Sequence, residues 1–193
     1  MIWKKFEREI IEYVRKELEE GSHGFDHVLR VVNLAFYIGT LEGADMNILM
    51  PAAYLHDIAR KYERNGVDHA KLGAKMAKKF LERIGYPKEK ISHISHAIEV
   101  HRYKSEKEPE TLEAVILKES DMLDAMGAIG IYRAISHSCE AKRSLEDTIR
   151  HVEEKILKLK DKMRTKSAIK IAKKRHEFVR LFLENLRSEL NFP

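Results

Sequence analysis

Apolar residues return every three or four positions along almost the whole chain, and no stretch alternates long enough to make a strand. Ile2, Phe6, Ile10, Val14 and Leu18 form the first stripe, with charges opposite, and Gly21 ends that helix. A turn over 22–26 leads into a second helix, 26–41, whose apolar residues include Val28, Val31, Val32, Ala35, Phe36 and Ile38. Gly43 separates it from a third helix, 47–59, and a polar loop covers 60–67. Asp68 is a natural N-cap for a fourth helix, in which Ala70, Gly73, Ala74 and Ala77 allow a neighbour to approach closely. Gly85-Tyr86-Pro87 stops it. A fifth helix over 88–101 and a sixth over 111–126 follow, then a small apolar stretch at 127–131. From Ser144 the chain is helical again, with Asp147 completing a variant capping box, and Thr165 caps a last long helix. The pattern predicts an all-α fold in one domain, 1–193, without repeats or linkers.

Composition narrows this picture little but usefully. In 193 residues, 44% are hydrophobic and 35% charged, with only 9 Gly and 4 Pro, which argues against disorder. A net charge of +5 favours anionic partners, and the many lysines of the last helix read as a solvated face rather than a nucleic-acid surface. A single cysteine, Cys139, excludes an internal disulfide and fits a reducing compartment. Residues 1–20 are broken by charges and resemble no signal peptide, and no apolar run is long enough for a bilayer. A cytoplasmic protein is expected.

The chemistry concentrates around Ala52-Ala53-Tyr54-Leu55-His56-Asp57-Ile58-Ala59-Arg60. An imidazole beside a carboxylate in an apolar run costs several kcal/mol unless something pairs both, and a metal ion does so. His27, in the first turn of the second helix, and Asp121, near the end of the sixth, complete a set of two imidazoles and two carboxylates from three helices. Such mixed N/O donors suit Mn²⁺, Fe²⁺, Co²⁺, Ni²⁺ or Mg²⁺ better than a structural zinc. Four ligands leave positions for water and a substrate oxygen, as metal-assisted hydrolysis requires. His93 and His96, three apart but without a carboxylate partner, read as surface residues.

The order His27, His56-Asp57, Asp121 resembles the HD-domain superfamily of metal-dependent phosphohydrolases, and the flanks Asp26-His27-Val28-Leu29-Arg30-Val31 and His56-Asp57-Ile58-Ala59-Arg60 match its first two motifs. Asp68-His69-Ala70, Pro109-Glu110-Thr111-Leu112-Glu113, the stretch from Asp121 to Gly130 and that from His151 to Lys155 look most like the small stand-alone HD hydrolases. Some of these cleave nucleoside triphosphates to monophosphate and pyrophosphate. The resemblance implies a helical bundle with a central metal cleft, a metal-binding core over about 22–130 and C-terminal helices over about 144–191 packing on it. Relatives often carry Asp-Ala-Asp-Arg-Leu-Asp where this chain has Glu119-Ser120-Asp121-Met122-Leu123-Asp124, so a phosphate contact from that Arg is missing.

Roles follow from chemistry and resemblance together. His27, His56, Asp57 and Asp121 are the expected ligands of one divalent ion, Mn²⁺ first among the choices. Arg30, Arg60 and Lys155 are candidate phosphate contacts. His69 and His101 could bind phosphate, supply a proton to the leaving oxygen, or hold a second metal, though few carboxylates are available to bridge two ions. Asp124 could orient a ligand or a water, and His23 could border the substrate. Asp57, Arg60 and His69 are the expected catalytic residues. The expected substrate is a nucleotide, cut as a phosphoester or phosphoanhydride. The rival readings are a nucleoside monophosphatase, a cyclic-nucleotide phosphodiesterase, a di-iron oxygenase on the same scaffold and a non-catalytic nucleotide sensor. A homodimer is an open expectation.

Overall fold

The computed structural model describes residues 1–18 and 24–191, so the expected helix stop at Gly21 and the candidate His23 lie outside the described residues. Among the described residues there are nine α-helices and no strand, as the periodicity predicts. No described helix is long and apolar enough to cross a membrane. The chain forms two compact units, 1–121 and 122–193, and their boundary falls inside α6 (Leu112–Asp124).

In the first unit α3 (Met46–Leu55) is the hub, because it is apolar all round: every residue from Ile48 to Leu55 is buried. Asp45 starts it by accepting a hydrogen bond from the Asn47 amide at 2.8 Å. Around it pack α1 (Glu7–Glu17), α2 (Phe25–Glu42) and α5 (Lys88–Val100), while α4 (His69–Arg83) lies against α5. Leu49, Leu55, Ile94, Ile98 and Ile116 are fully buried in this core, each contributing about 1.5–3 kcal/mol by the area it removes from water. Pro51 sits inside α3 and cannot donate to the Asn47 carbonyl four residues back. The Tyr86 hydroxyl fills that place, donating to the same carbonyl at 2.6 Å.

Two details of the unit depart from the helical pattern. The first stripe is not one continuous helix: a 3₁₀ turn, Ile2–Lys5, precedes α1, and the chain bends at Phe6. The bend buries Trp3 and leaves Ile2 exposed. The third helix ends at Leu55 rather than Ala59, so His56 and Asp57 stand in the turn beyond it, followed by a 3₁₀ segment, Arg60–Asn65. Asp68 caps α4 as expected, accepting from the amides of Ala70 and Lys71. A side chain at Gly73 would meet the His56 carbonyl, Ile98 and Ala59 at 3.5–3.7 Å, so α4 runs close beneath that turn.

In the second unit α7 (Gly127–Glu140) packs on α9 (Lys166–Leu190), with α8 (Leu145–His151), a π turn (Val152–Ile156) and a 3₁₀ turn (Leu157–Lys162) between them in sequence. Gly130 has no substitute, since a Cβ there would lie 2.3 Å from the Ala125 carbonyl oxygen. Ser144 and Asp147 form the capping box, and the Thr165 side chain accepts from the Ala168 amide. Along α9 the buried residues are Ala168, Ala172, Val179 and Leu183. Phe178 and Leu181, apolar by composition, face outward and are about half exposed.

Candidate metal centre

Two helices of the first unit end in the same way. His56 follows the last residue of α3 and His101 the last residue of α5. Each ring turns back on its own helix, with Nδ1 2.8 Å from the Ala53 carbonyl and 2.6 Å from the Ile98 carbonyl. A carbonyl only accepts, so Nδ1 carries the proton in both, and each Nε2 lone pair points away from the helix. The carbonyl ends of the two helices add negative potential there, which favours a cation.

His27 reaches the same point from the first turn of α2. Its Nε2 lies 3.3 Å from His56 Nε2, 3.6 Å from Asp57 Oδ2 and 3.4 Å from Asp121 Oδ1. His56 Nε2 is 3.9 Å from Asp57 Oδ2. Atoms held about 2.0–2.3 Å from one ion stand roughly 3–4.5 Å from each other, and all four separations fall in that range. The donor set therefore fits a divalent ion of mixed N/O preference. His27, His56 and Asp57 are buried, while Asp121 keeps a quarter of its side-chain surface exposed.

Charge in the cluster is set by burial and by the neighbouring groups. Burial pushes His56 down to about 4, against the pull of Asp57, so the ring stays neutral and its lone pair available. Burial alone would raise the Asp121 carboxyl, but its hydrogen bond to His27 and the imidazoles of His27, His101 and His56 hold it well below the usual carboxylate range. His101 goes the other way: burial disfavours its charged form, yet its contact with Asp57 raises it overall.

The carboxylate of Asp57 has a second face that the sequence did not reveal. Its Oδ1 lies 3.3 Å from His69 Nε2 and 3.5 Å from His101 Nε2. Asp57, His69 and His101 thus form a second buried group of ligand atoms beside the first, sharing one carboxylate. Arg60 lies over His69, with Nη1 3.2–3.3 Å from both ring nitrogens, and is partly exposed. Glu63, not singled out by any sequence signal, joins this edge, its Oε1 3.2 Å from His69 Nδ1.

The other predicted residues are placed as follows. Arg30 is half-buried on α2, one turn beyond His27. His93 is exposed and His96 accepts from the Glu110 amide at 3.1 Å, in line with a surface role for both. Asp124 and Lys155 belong to the second unit. Asp124 is buried, with Arg133 Nη1 2.7 Å from its Oδ2, and Lys155 is exposed on the π turn.

Comparison with known proteins gives the family. The family model for the HD domain matches residues 24–126, a span that holds every member of the cluster. The Bacillus subtilis protein YpgQ is 33% identical over 180 residues, covering 89% of this chain and 86% of YpgQ. The crystal structure of B. subtilis YpgQ in complex with ADP is similar with a TM-score of 0.81 and 29% identity, over 96% of this chain and 98% of that one. A predicted HD superfamily hydrolase from an uncultured Thermotogales bacterium matches with a TM-score of 0.74 and 30% identity, over 96% of this chain and 94% of that one. The chain belongs to the HD-domain superfamily of metal-dependent phosphohydrolases.

Proposed function

We propose that this chain hydrolyses the phosphate chain of a nucleotide, with a nucleoside triphosphate cut to monophosphate and pyrophosphate as the leading reaction. The observation that carries the reading is the convergence of His27, His56 and Asp57, with Nε2 and Oδ2 atoms 3.3–3.9 Å apart, and the approach of Asp121 Oδ1 to 3.4 Å from His27 Nε2. These four would hold the divalent ion, Mn²⁺ being the best match to two imidazoles and two carboxylates. When bound, such an ion supplies Lewis acidity to a phosphoryl oxygen and acidifies a water. The ADP seen in B. subtilis YpgQ supports a nucleotide as the ligand here.

The chain's own groups do the remaining work. The Ala53 and Ile98 carbonyls hold His56 and His101 in one tautomer, so that no reorientation is needed when ligands arrive. Arg60, beside His69, stabilises the charge that builds on the phosphoryl oxygens. His69 is placed to give a proton to the leaving oxygen. We place the protein in the cytoplasm.

One observation favours a second reading. Asp57 gives one oxygen to His27 and His56 and the other to His69 and His101, as a carboxylate bridging two ions would. Two ions could serve hydrolysis or, if both were iron, oxygen chemistry. The test is a screen of phosphate and pyrophosphate release over nucleotides with each divalent metal, run beside metal counting per chain. Pyrophosphate release with one ion per chain is expected. Two irons and an oxygen-dependent product would overturn the proposal.

A further inference from the structure

Outside the buried cluster lies a second layer of ionic contacts in the same unit. Glu63 is at its centre: Oε2 is 3.2 Å from Arg60 Nη1, and Oε1 accepts from Arg102 Nη2 at 2.9 Å and lies 3.2 Å from His69 Nδ1. Arg102 Nη1 also lies 3.4 Å from Asp68 Oδ1. That last contact is long because the same oxygen already caps α4 through the amides of Ala70 and Lys71. The outer residues sit next to inner ones along the chain. Arg60 is three residues after Asp57, Asp68 precedes His69, and Arg102 follows His101. The segments that deliver the inner imidazoles therefore also deliver the outer charges.

We propose that Arg102 receives the phosphate group next to the one that reacts, with Arg60 on the reacting group beside it, and that Glu63 holds both guanidiniums ready for the pair. This rests on the nucleotide reading above and names the residues that would make the site prefer two linked phosphates over one. A clip that only fastened the 3₁₀ segment to α5 would need a single arginine on Glu63. Here two guanidiniums, which repel one another, converge on one carboxylate, and Glu63, Arg60 and Arg102 each keep about a third of their side-chain surface exposed. They are thus within reach of a ligand that also touches the inner cluster. Phosphate oxygens offer the same fork of acceptors as a carboxylate, so a phosphate can take over the arginines with the geometry already set. Glu63 is a positioning residue and a competitor at once: it keeps the arginines in place, and it must yield them when the phosphate chain binds. His69, between Asp57 and Glu63, links the inner and outer layers.

The test is calorimetric binding of methylenediphosphonate, which cannot be cleaved, and of orthophosphate to the full Mn²⁺-loaded chain. The wild type is expected to prefer the diphosphonate. Arg102→Ala should reduce that preference about tenfold, the scale of losing one charge-assisted pair. Arg102→Lys should reduce it less, because the charge remains without the fork. Glu63→Gln should tighten diphosphonate binding severalfold, since it removes the competing charge while still accepting a hydrogen bond. An Arg102→Ala variant that loses affinity for both ligands by one factor, or for neither, would overturn the proposal. So would a Glu63→Gln variant that binds the diphosphonate more weakly, as loss of a structural clip predicts. If the wild type cleaves no nucleotide but Arg102→Ala still loses the diphosphonate selectively, the nucleotide reading fails and the diphosphate clamp stands.

Discussion

The two units bury polar groups for different reasons. In the second, each buried polar group with a defined partner has a structural task. The Thr148 hydroxyl donates to the Ser144 carbonyl at 2.9 Å, Thr165 caps α9, and Asp124 is neutralised by Arg133. In the first unit, His27, His56, Asp57, His69 and His101 are all buried in two groups that share Asp57, and two of the imidazoles are 3.3 Å apart. The Nδ1 atoms of His56 and His101 serve the ends of α3 and α5, but no helix needs their Nε2 atoms, His27, His69 or Asp57 as a cap, and neighbouring imidazoles weaken rather than strengthen the core. Its presence is costly to folding unless a cation joins it. Buried polarity without a structural task is a sign of function, and burial alone does not distinguish the two units.

The largest test of this contrast is Asp57→Ala, which removes both faces of the shared carboxylate. Metal content measured by mass spectrometry and nucleotide turnover should fall together, by more than about a hundredfold in affinity, since even outer partners of a metal site cost about 10–100-fold. Added Mn²⁺ at a hundred times its dissociation constant should stabilise the wild type by about 2.7 kcal/mol and the variant by nothing. A variant that keeps its metal would show that Asp57 is structural, like the buried polar groups of the second unit.

Asp124→Ala makes the matching change in the second unit. It leaves the Arg133 guanidinium, mostly buried, without its close carboxylate. Urea unfolding should then show a loss of about 3 kcal/mol, the lower end for breaking a buried pair. A loss below about 0.5 kcal/mol would remove Asp124 from the structural class, because that is the scale of an ordinary surface substitution.

Much of this was legible beforehand. The caps at Asp68, Ser144 and Thr165 and the helix content could be read from spacing and residue type, because each depends on local geometry, whereas His27, His56, Asp57 and Asp121 stood out as candidate ligands by residue type and by resemblance to a family. What stayed hidden depends on tertiary contact. Periodicity cannot see the 3₁₀ turn that exchanges Ile2 for Trp3, nor the end of α3 at Leu55. The two oxygens of Asp57 serve different histidines only because α4 and α5 arrive from elsewhere. Glu63 lies in a polar loop with no pattern around it, so nothing in the sequence singles it out.

Tyr86 shows a polar contact of the first unit that does behave structurally. Its hydroxyl serves the carbonyl that Pro51 leaves without a donor, and its burial and the nearby Asp45 raise its pKa well above the usual range. Tyr86→Phe should cost about 1–3 kcal/mol of stability for an unsatisfied buried carbonyl, with metal content per folded chain unchanged. Loss of metal along with stability would mean that the start of α3 and its histidine end are coupled, and the contrast would then lie between helix ends rather than between units.

Lys155 asks whether the second unit is confined to structural work. It is exposed on the π turn, a feature often found at functional sites, and it stands four residues from His151. The His151 imidazole is lowered by burial and then by the Lys155 charge, so the two groups act on one another. If it meets the outermost phosphate of a triphosphate, Lys155→Ala should lower kcat/KM for a nucleoside triphosphate about tenfold, as for one charge-assisted hydrogen bond. The same variant should lower that for a monophosphate less, since no distal phosphate is there to lose. The discriminating measurement is the ratio of the two values, because damage to the fold would lower both alike. A ratio that does not move would make Lys155 an ordinary surface lysine of the second unit.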